Sequence, residues 1–237
     1  MPERIKKCLI GAIYKDEISE LNELGIETIP VSGTNDLDEE IRYHADILAF
    51  NPYNGDFIIA ECTQKGIEAD LTAFNVILEK SIASPYPRDI RLNAALLGSK
   101  IICNGKYVSD NIKGSLKSAE ILHTNQGYTK CNICIVTDNA VITEDSNIAS
   151  LLNNSQINVL KISPGYVKLS REHYGFIGGA SAKISDNEIY FSGDLSKHPD
   201  YKRIIMFLDK YNFKPVFNSN RPLNDFGGLV VLSDRNF

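Results

Sequence analysis

Cys131 is the residue best placed for nucleophilic chemistry. It directly follows Lys130, whose positive charge favours the thiolate, the reactive form of a cysteine. The competing reading is a buried cysteine that behaves as a small hydrophobe. Cys134, three residues on in the same apolar run, is expected on the opposite face of a strand. His198 is a second candidate, because Asp194 and Asp200 flank it. A titratable ring between two carboxylates suits proton transfer, although a residue before Pro199 also suits a helix cap. A third group consists of Asp46, Asp89 and Asp225, with His44, Lys130, Asn132 and Phe176, all near the starts of apolar runs. Such a polar set of mixed charge suits a cationic or hydrogen-bond-rich small ligand. Aspartates in these places also cap backbone amides at turns.

The elements that must position these residues repeat. Five segments begin with a similar short strand signal: HADILAF from His44, RDIRLNA from Arg88, KCNICIV from Lys130, YGFIGGA from Tyr174 and NDFGGLVVL from Asn224. Their spacing of roughly 42 to 50 residues falls in the range of closed or stacked repeat architectures. Asn132 to Val136 reads as a strand, Thr137-Asp138-Asn139 as a turn and Ala140 to Thr143 as a second strand. Thr143 or Asp145 then caps a helix through Leu152, and Ile157 to Ile162 is a third strand. Phe176 to Ala182, Glu188 to Phe191, a helix opened by His198-Pro199, and Lys214 to Phe217 repeat the unit. Asp46 to Phe50, Phe57 to Ala60, a helix near Gly66 to Leu71, and Asn75 to Lys80 repeat it again. In the copy that starts at Arg88, Gly114 interrupts the helical pattern.

The two ends complement each other. The last copy offers only an opening strand, Gly228 to Leu232, while the first residues supply a strand (Lys7 to Ile13), a helix (Glu17 to Leu24, ended by Gly25) and a strand (Ile26 to Val31). Pairing them removes two exposed strand edges. The expected architecture is α/β: one domain spanning 1–237, a five-fold pseudosymmetric ring of ββαβ units, with the last unit closed by N- and C-terminal strands. The alternative is an open α/β sandwich with coincidental spacing. In the ring, the starts of the opening strands converge near the axis, which makes the residues there the default pocket.

Composition narrows the class. A net charge of −5 leaves no basic footprint for nucleic acid. The five cysteines are an odd number, which argues for reduced thiols and a cytoplasmic location. No apolar run approaches the ~18 residues of a membrane span, and the N-terminus shows no secretory pattern. Cysteines and histidines are not paired at zinc-ligand spacing, so no metal is expected. No cofactor is expected either. The stretch from Gly175 to Ser181 lacks the Lys-Ser/Thr of a phosphate loop and the spacing of a dinucleotide fingerprint. Close backbone approach explains its glycines better.

The stretches GYTKCNICIVTDNAVIT, GFIGGASAKI, FSGDLSKHPD and NDFGGLVVL resemble an uncharacterised bacterial family within the pentein, or α/β propeller, superfamily. That superfamily includes arginine deiminase, agmatine deiminase, dimethylarginine dimethylaminohydrolase and a ribosome anti-association initiation factor. The resemblance implies a cysteine nucleophile in the last opening-strand region, a histidine in the preceding unit, and carboxylates that hold a guanidinium. The sequence departs from this. Its last unit, Asp225 to Val230, has no cysteine, and Gly178-Gly179 stands where the histidine is expected. Two readings follow: a small-molecule-binding pentein protein, with hydrolysis of a guanidino- or amide-containing compound at a non-standard site as its candidate activity; or a non-catalytic interaction protein resembling the initiation factor.

Overall fold

The structure is a computed structural model that describes residues 3–170 and 173–234. The chain opens with β1 (Lys7–Gly11), α1 (Lys15–Glu23) and β2 (Glu27–Val31). The next unit holds α2 (Ala45–Leu48), β3 (Ala49–Phe50), β4 (Asp56–Ala60), α3 (Glu61–Gln64) and β5 (Asn75–Glu79). A third has β6 (Ala95–Leu97), β7 (Lys100–Cys103), α4 (Asp110–Ser115) and β8 (Glu120–His123). The fourth comprises α5 (Thr129–Asn132), β9 (Ile133–Thr137), β10 (Ala140–Thr143), α6 (Ser146–Asn154) and β11 (Asn158–Lys161). The fifth comprises β12 (Ser181–Ser185), β13 (Glu188–Phe191), α7 (Tyr201–Lys210) and β14 (Lys214–Phe217), and β15 (Val230–Val231) follows as the opening strand of the last unit, which β1, α1 and β2 complete.

These strands form five three-stranded sheets. In four of them a hairpin supplies two antiparallel strands and a crossover returns the third in parallel. Side-chain chemistry sets the turns. The Asn139 amide donates to Thr137 Oγ1 at 3.3 Å, and the Asn187 amide donates to Ser185 Oγ at 3.2 Å. Asp145 starts α6 by accepting from the amides of Asn147 and Ile148. In the fifth sheet β1 pairs in parallel with β2 and antiparallel with β15, in the register Cys8 with Val231 and Leu9 with Val230. Apolar cores lie where units meet. Ile184, Tyr190 and Phe226 pack with Cys8, Ile10 and Leu21, joining the last hairpin to the sheet made from both ends.

Several boundaries differ from the sequence expectation. The runs beginning at Asp46 and Lys130 are not strands from their first residue. Each starts with a helical turn, closed by Leu48 N–H to His44 O at 3.2 Å and by Asn132 N–H to Tyr128 O at 3.1 Å. Residues 177–180 likewise form a turn, with Ala180 N–H donating to Phe176 O, so β12 starts at Ser181. A short buried helix and a short buried strand share the same apolar pattern, so periodicity does not separate them. Gly114 lies inside α4. Helix α7 begins at Tyr201, with Asp200 rather than His198 at its cap position. Among the described residues, no helix is long and apolar enough to cross a membrane.

Candidate functional site

The helical turns are what bring the polar residues together. His44 precedes α2, Asp46 lies within it and Cys131 lies within α5, and all three are buried. One ligand atom from each of them lies within 4.8 Å of the others. The Cys131 thiol faces Asp46 Oδ2 at 3.1 Å. Asp225, also buried, places Oδ1 3.8 Å from His44 Nδ1. Its carboxylate is fixed in place: Oδ2 accepts the Phe176 amide at 2.9 Å and Oδ1 the Gly227 amide at 3.0 Å. His44, Cys131, Phe176 and Asp225 line a cavity of about 240 Å³, with Tyr128 on its wall and His173 and Tyr174 toward its mouth.

Two glycines make this approach possible. A Cβ on Gly179 would overlap the Asp225 carboxylate, and one on Gly227, whose φ is +73°, would overlap His44. Gly179 and Gly227 are therefore spacers for the site.

The electrostatics come mainly from burial. Asp46 is pushed up to about 6 by desolvation, a rise that Lys130 and His44 oppose. The Cys131 thiol is held well above its usual range by burial, then by the charges of Asp46 and Asp225. Lys130 acts in the direction expected from the sequence, and these effects outweigh it. Glu144 is raised to about 8 by burial and then by Asp225. Tyr14, whose ring lies 6.1 Å from that of His44, is also held protonated, first by burial and then by Asp225.

The remaining expected positions divide between the axis and elsewhere. Lys130 and Asp46 both line a smaller cavity of about 80 Å³, and Lys130 Nζ donates to Gly178 O at 3.3 Å. Asp89 does not line the cavity of about 240 Å³ but accepts the hydroxyl of Tyr128, which does, at 2.6 Å. Asn132 is buried and donates to Tyr128 O. His198 does not line the cavity of about 240 Å³. Its Nδ1 accepts the Asp200 amide at 3.0 Å beside Tyr166, and burial lowers its pKa. Burial pushes Asp200 upward, but the Ser163 backbone and Arg203 take it down to about 2. This is a structural junction between α7 and the end of β11, where Arg203 also donates to Lys161 O. Sequence reasoning does not single out Asn93, Tyr128 or Glu144. Asn93 ends the same RDIRLN stretch that contains Asp89, and Glu144 directly follows β10.

Comparison with known proteins places the fold. Residues 9–230 match the model described as a family of unknown function (DUF6873). No curated protein matches the sequence. The dimethylarginine dimethylaminohydrolase of Pseudomonas aeruginosa, solved as a cysteine-to-serine mutant complexed with citrulline, gives a TM-score of 0.58. That match has 9% identity and covers 92% of this chain and 93% of that one. Agmatine deiminase of C. jejuni gives 0.57 at 11% identity, covering 92% and 89%. Inosamine-phosphate amidinotransferase of Streptomyces griseus gives 0.54 at 10% identity, covering 100% and 96%. These neighbours are pentein-superfamily members, and the ring of five sheets is the pentein fold.

Proposed function

The chain belongs to that family of unknown function, and from this premise we propose that it binds a small guanidino- or amidino-type cation in the axial cavity and hydrolyses a C–N bond through Cys131. The observation that carries the reading is the 3.1 Å contact between Cys131 Sγ and Asp46 Oδ2, in a site where His44 and Asp225 also meet. Carboxylates pair with a planar cation through charge-assisted hydrogen bonds. Burial, then the two carboxylates, hold the thiol protonated, and the arriving positive charge would offset the carboxylates. Asp46, at about 6, is ionised enough at neutral pH to accept a proton and basic enough to return it.

In the first step the thiol proton passes to Asp46 and sulfur bonds to the guanidinium carbon. The C–N bond then breaks, and the leaving amine takes that proton from Asp46. Water attacks the sulfur-bound carbon while His44 takes its proton, the C–S bond breaks to release the product, and the proton passes from His44 to sulfur to restore the thiol. The site differs from the arrangement implied by the resemblance. Its sulfur comes from the fourth unit, at Cys131, and the last unit contributes Asp225.

The test is a thermal-shift screen with arginine, agmatine, methylated arginines and citrulline, run with an assay for released ammonia or amine. Turnover lost in Cys131→Ser, with ligand stabilisation retained, is the expected result. No stabilisation by any compound would sink the reading and favour a protein partner.

A further inference from the structure

We propose that His44, Asp46 and Cys131 form a binding site for a borderline-soft divalent cation, with zinc the best match, leaving one coordination position open to the cavity. The three side chains offer nitrogen, oxygen and sulfur within 4.8 Å of one another. Bonds of roughly 2.0–2.3 Å to tetrahedral zinc separate ligand atoms by about 3.5 Å. Cys131 Sγ and Asp46 Oδ2 are already 3.1 Å apart, so the site needs only a small inward shift of the imidazole.

A second, independent feature points to a ligand. His44 is 1% exposed, yet neither ring nitrogen has a hydrogen-bond partner among the described residues. Asp46 is 3% exposed and its Oδ1 is likewise unpartnered. Buried polar atoms are nearly always satisfied, and three orphans on two adjoining side chains mark a place where something binds.

The chemistry of the donors selects the metal. A thiolate and a carboxylate supply two negative charges, which match a divalent ion, and thiolate with imidazole favours zinc over magnesium or calcium. The surroundings fit as well. With Nε2 on the metal, His44 Nδ1 would be left 3.8 Å from Asp225 Oδ1, beyond hydrogen-bond distance but near enough for a small ring shift to form the carboxylate–histidine pairing that orients metal-bound imidazoles. Asn93 Nδ2 donates to Cys131 Sγ at 3.2 Å, as outer partners of metal thiolates do. Sequence spacing hides the site, because His44 and Asp46 come from one unit and Cys131 from another two units away. His44 and Cys131 also face the cavity of about 240 Å³, so a fourth ligand, water or a small anion, has access.

The inference goes beyond the hydrolase reading and does not rest on it: zinc would occupy the Cys131, Asp46 and His44 atoms that hydrolysis uses, so the metal-bound form is the non-hydrolytic one. A metal titration is read without turnover, and turnover is assayed in chelator without metal. The full chain, reduced and stripped of metal, is titrated with Co2+ and then Zn2+. One equivalent of Co2+ per chain should give thiolate-to-cobalt charge-transfer absorption with tetrahedral ligand-field bands, and one equivalent of Zn2+ should abolish both. Cys131→Ser should lose the charge-transfer band. His44→Ala should weaken binding by at least the ~10–100-fold that even outer-shell changes bring. Cys62→Ser, which removes the exposed cysteine, should change nothing. Zinc-edge X-ray absorption of the unmutated protein needs no variant and should give one sulfur at about 2.3 Å with nitrogen and oxygen donors. An all-nitrogen-and-oxygen shell, no charge-transfer band, or a band that survives in Cys131→Ser would overturn the proposal.

Discussion

Asn93 holds Cys131 from two directions. Its Oδ1 accepts the backbone amide of Lys130 at 2.7 Å and that of Cys131 at 3.4 Å, while its Nδ2 donates to the thiol sulfur at 3.2 Å. The same Nδ2 lies 3.1 Å from Asp46 O, so one side chain from the third unit ties together residues of the second and fourth. A donor aimed at sulfur favours the thiolate. Asn93→Ala should therefore move the pH profile of Cys131 alkylation upward, and the rate at a fixed pH should fall roughly 10-fold for every pH unit the profile moves. A profile that stays in place would show that Asn93 only packs.

Gly179→Ala tests the spacer role. The new methyl must displace an Asp225 carboxylate that is fixed by the amides of Phe176 and Gly227. A loss of about 2–4 kcal/mol in urea unfolding is expected, together with loss of any ligand-induced stabilisation. A fall below ~0.5 kcal/mol would mean that the backbone yields easily there.

Glu144 makes stability depend on pH in a calculable direction. Its folded pKa of about 8 lies above the ordinary 4.5, so the fold prefers it protonated. The penalty for its charge is absent below pH 4.5, grows between 4.5 and 8, and is complete above 8. Glu144→Gln should match the parent at pH 4 and exceed it by roughly 2–4 kcal/mol at pH 8.5, as measured by chemical denaturation at both pH values. Equal stability at pH 8.5 would mean that the carboxyl ionises freely.

Tyr128→Phe removes the hydroxyl that donates to Asp89 Oδ2 at 2.6 Å, and Asp89 Oδ1 already has no partner among the described residues. Burial raises the pKa of Asp89, and the Tyr128 hydroxyl opposes that rise. Its loss should lower stability by about 1–3 kcal/mol at neutral pH, and less at pH 3, where the carboxyl is protonated. A loss of equal size at both pH values would instead point to packing.

The fold is legible in the sequence because the repeat recurs and the turns are marked by side chains that bond their own backbone, as at Thr137 and Ser185. The site is legible only in part. His44, Asp46, Cys131 and Asp225 can be named because polar residues at the head of apolar runs are unusual. Their grouping cannot be read, because it depends on α2 and α5 being helical turns. An alternating strand would send Cys131 and Asn132 to opposite faces, but neither face nor partner follows from that period once the backbone coils. His198 lies apart from that group, and flanking carboxylates look alike in sequence whether they serve chemistry or, as with Asp200 and Arg203, pair at the start of a helix. Asn93 carries no signal of its own: an asparagine becomes informative only once the groups it bridges are known.

The sheet shared by β1 and β15 also bears on time. Its strands lie at opposite ends of the described chain, so this pairing is among the least local contacts in the molecule. Pairings of that kind form slowly, since distant segments must first find each other. Asp225 lies only a few residues before β15 and reaches the axis with it. The four hairpin-built sheets should therefore gain protection from hydrogen exchange early in refolding, while β1 and β15 gain it last. Until that clasp shuts, the axis lacks one of its carboxylates, so any ligand-induced stabilisation should lag behind the appearance of secondary structure.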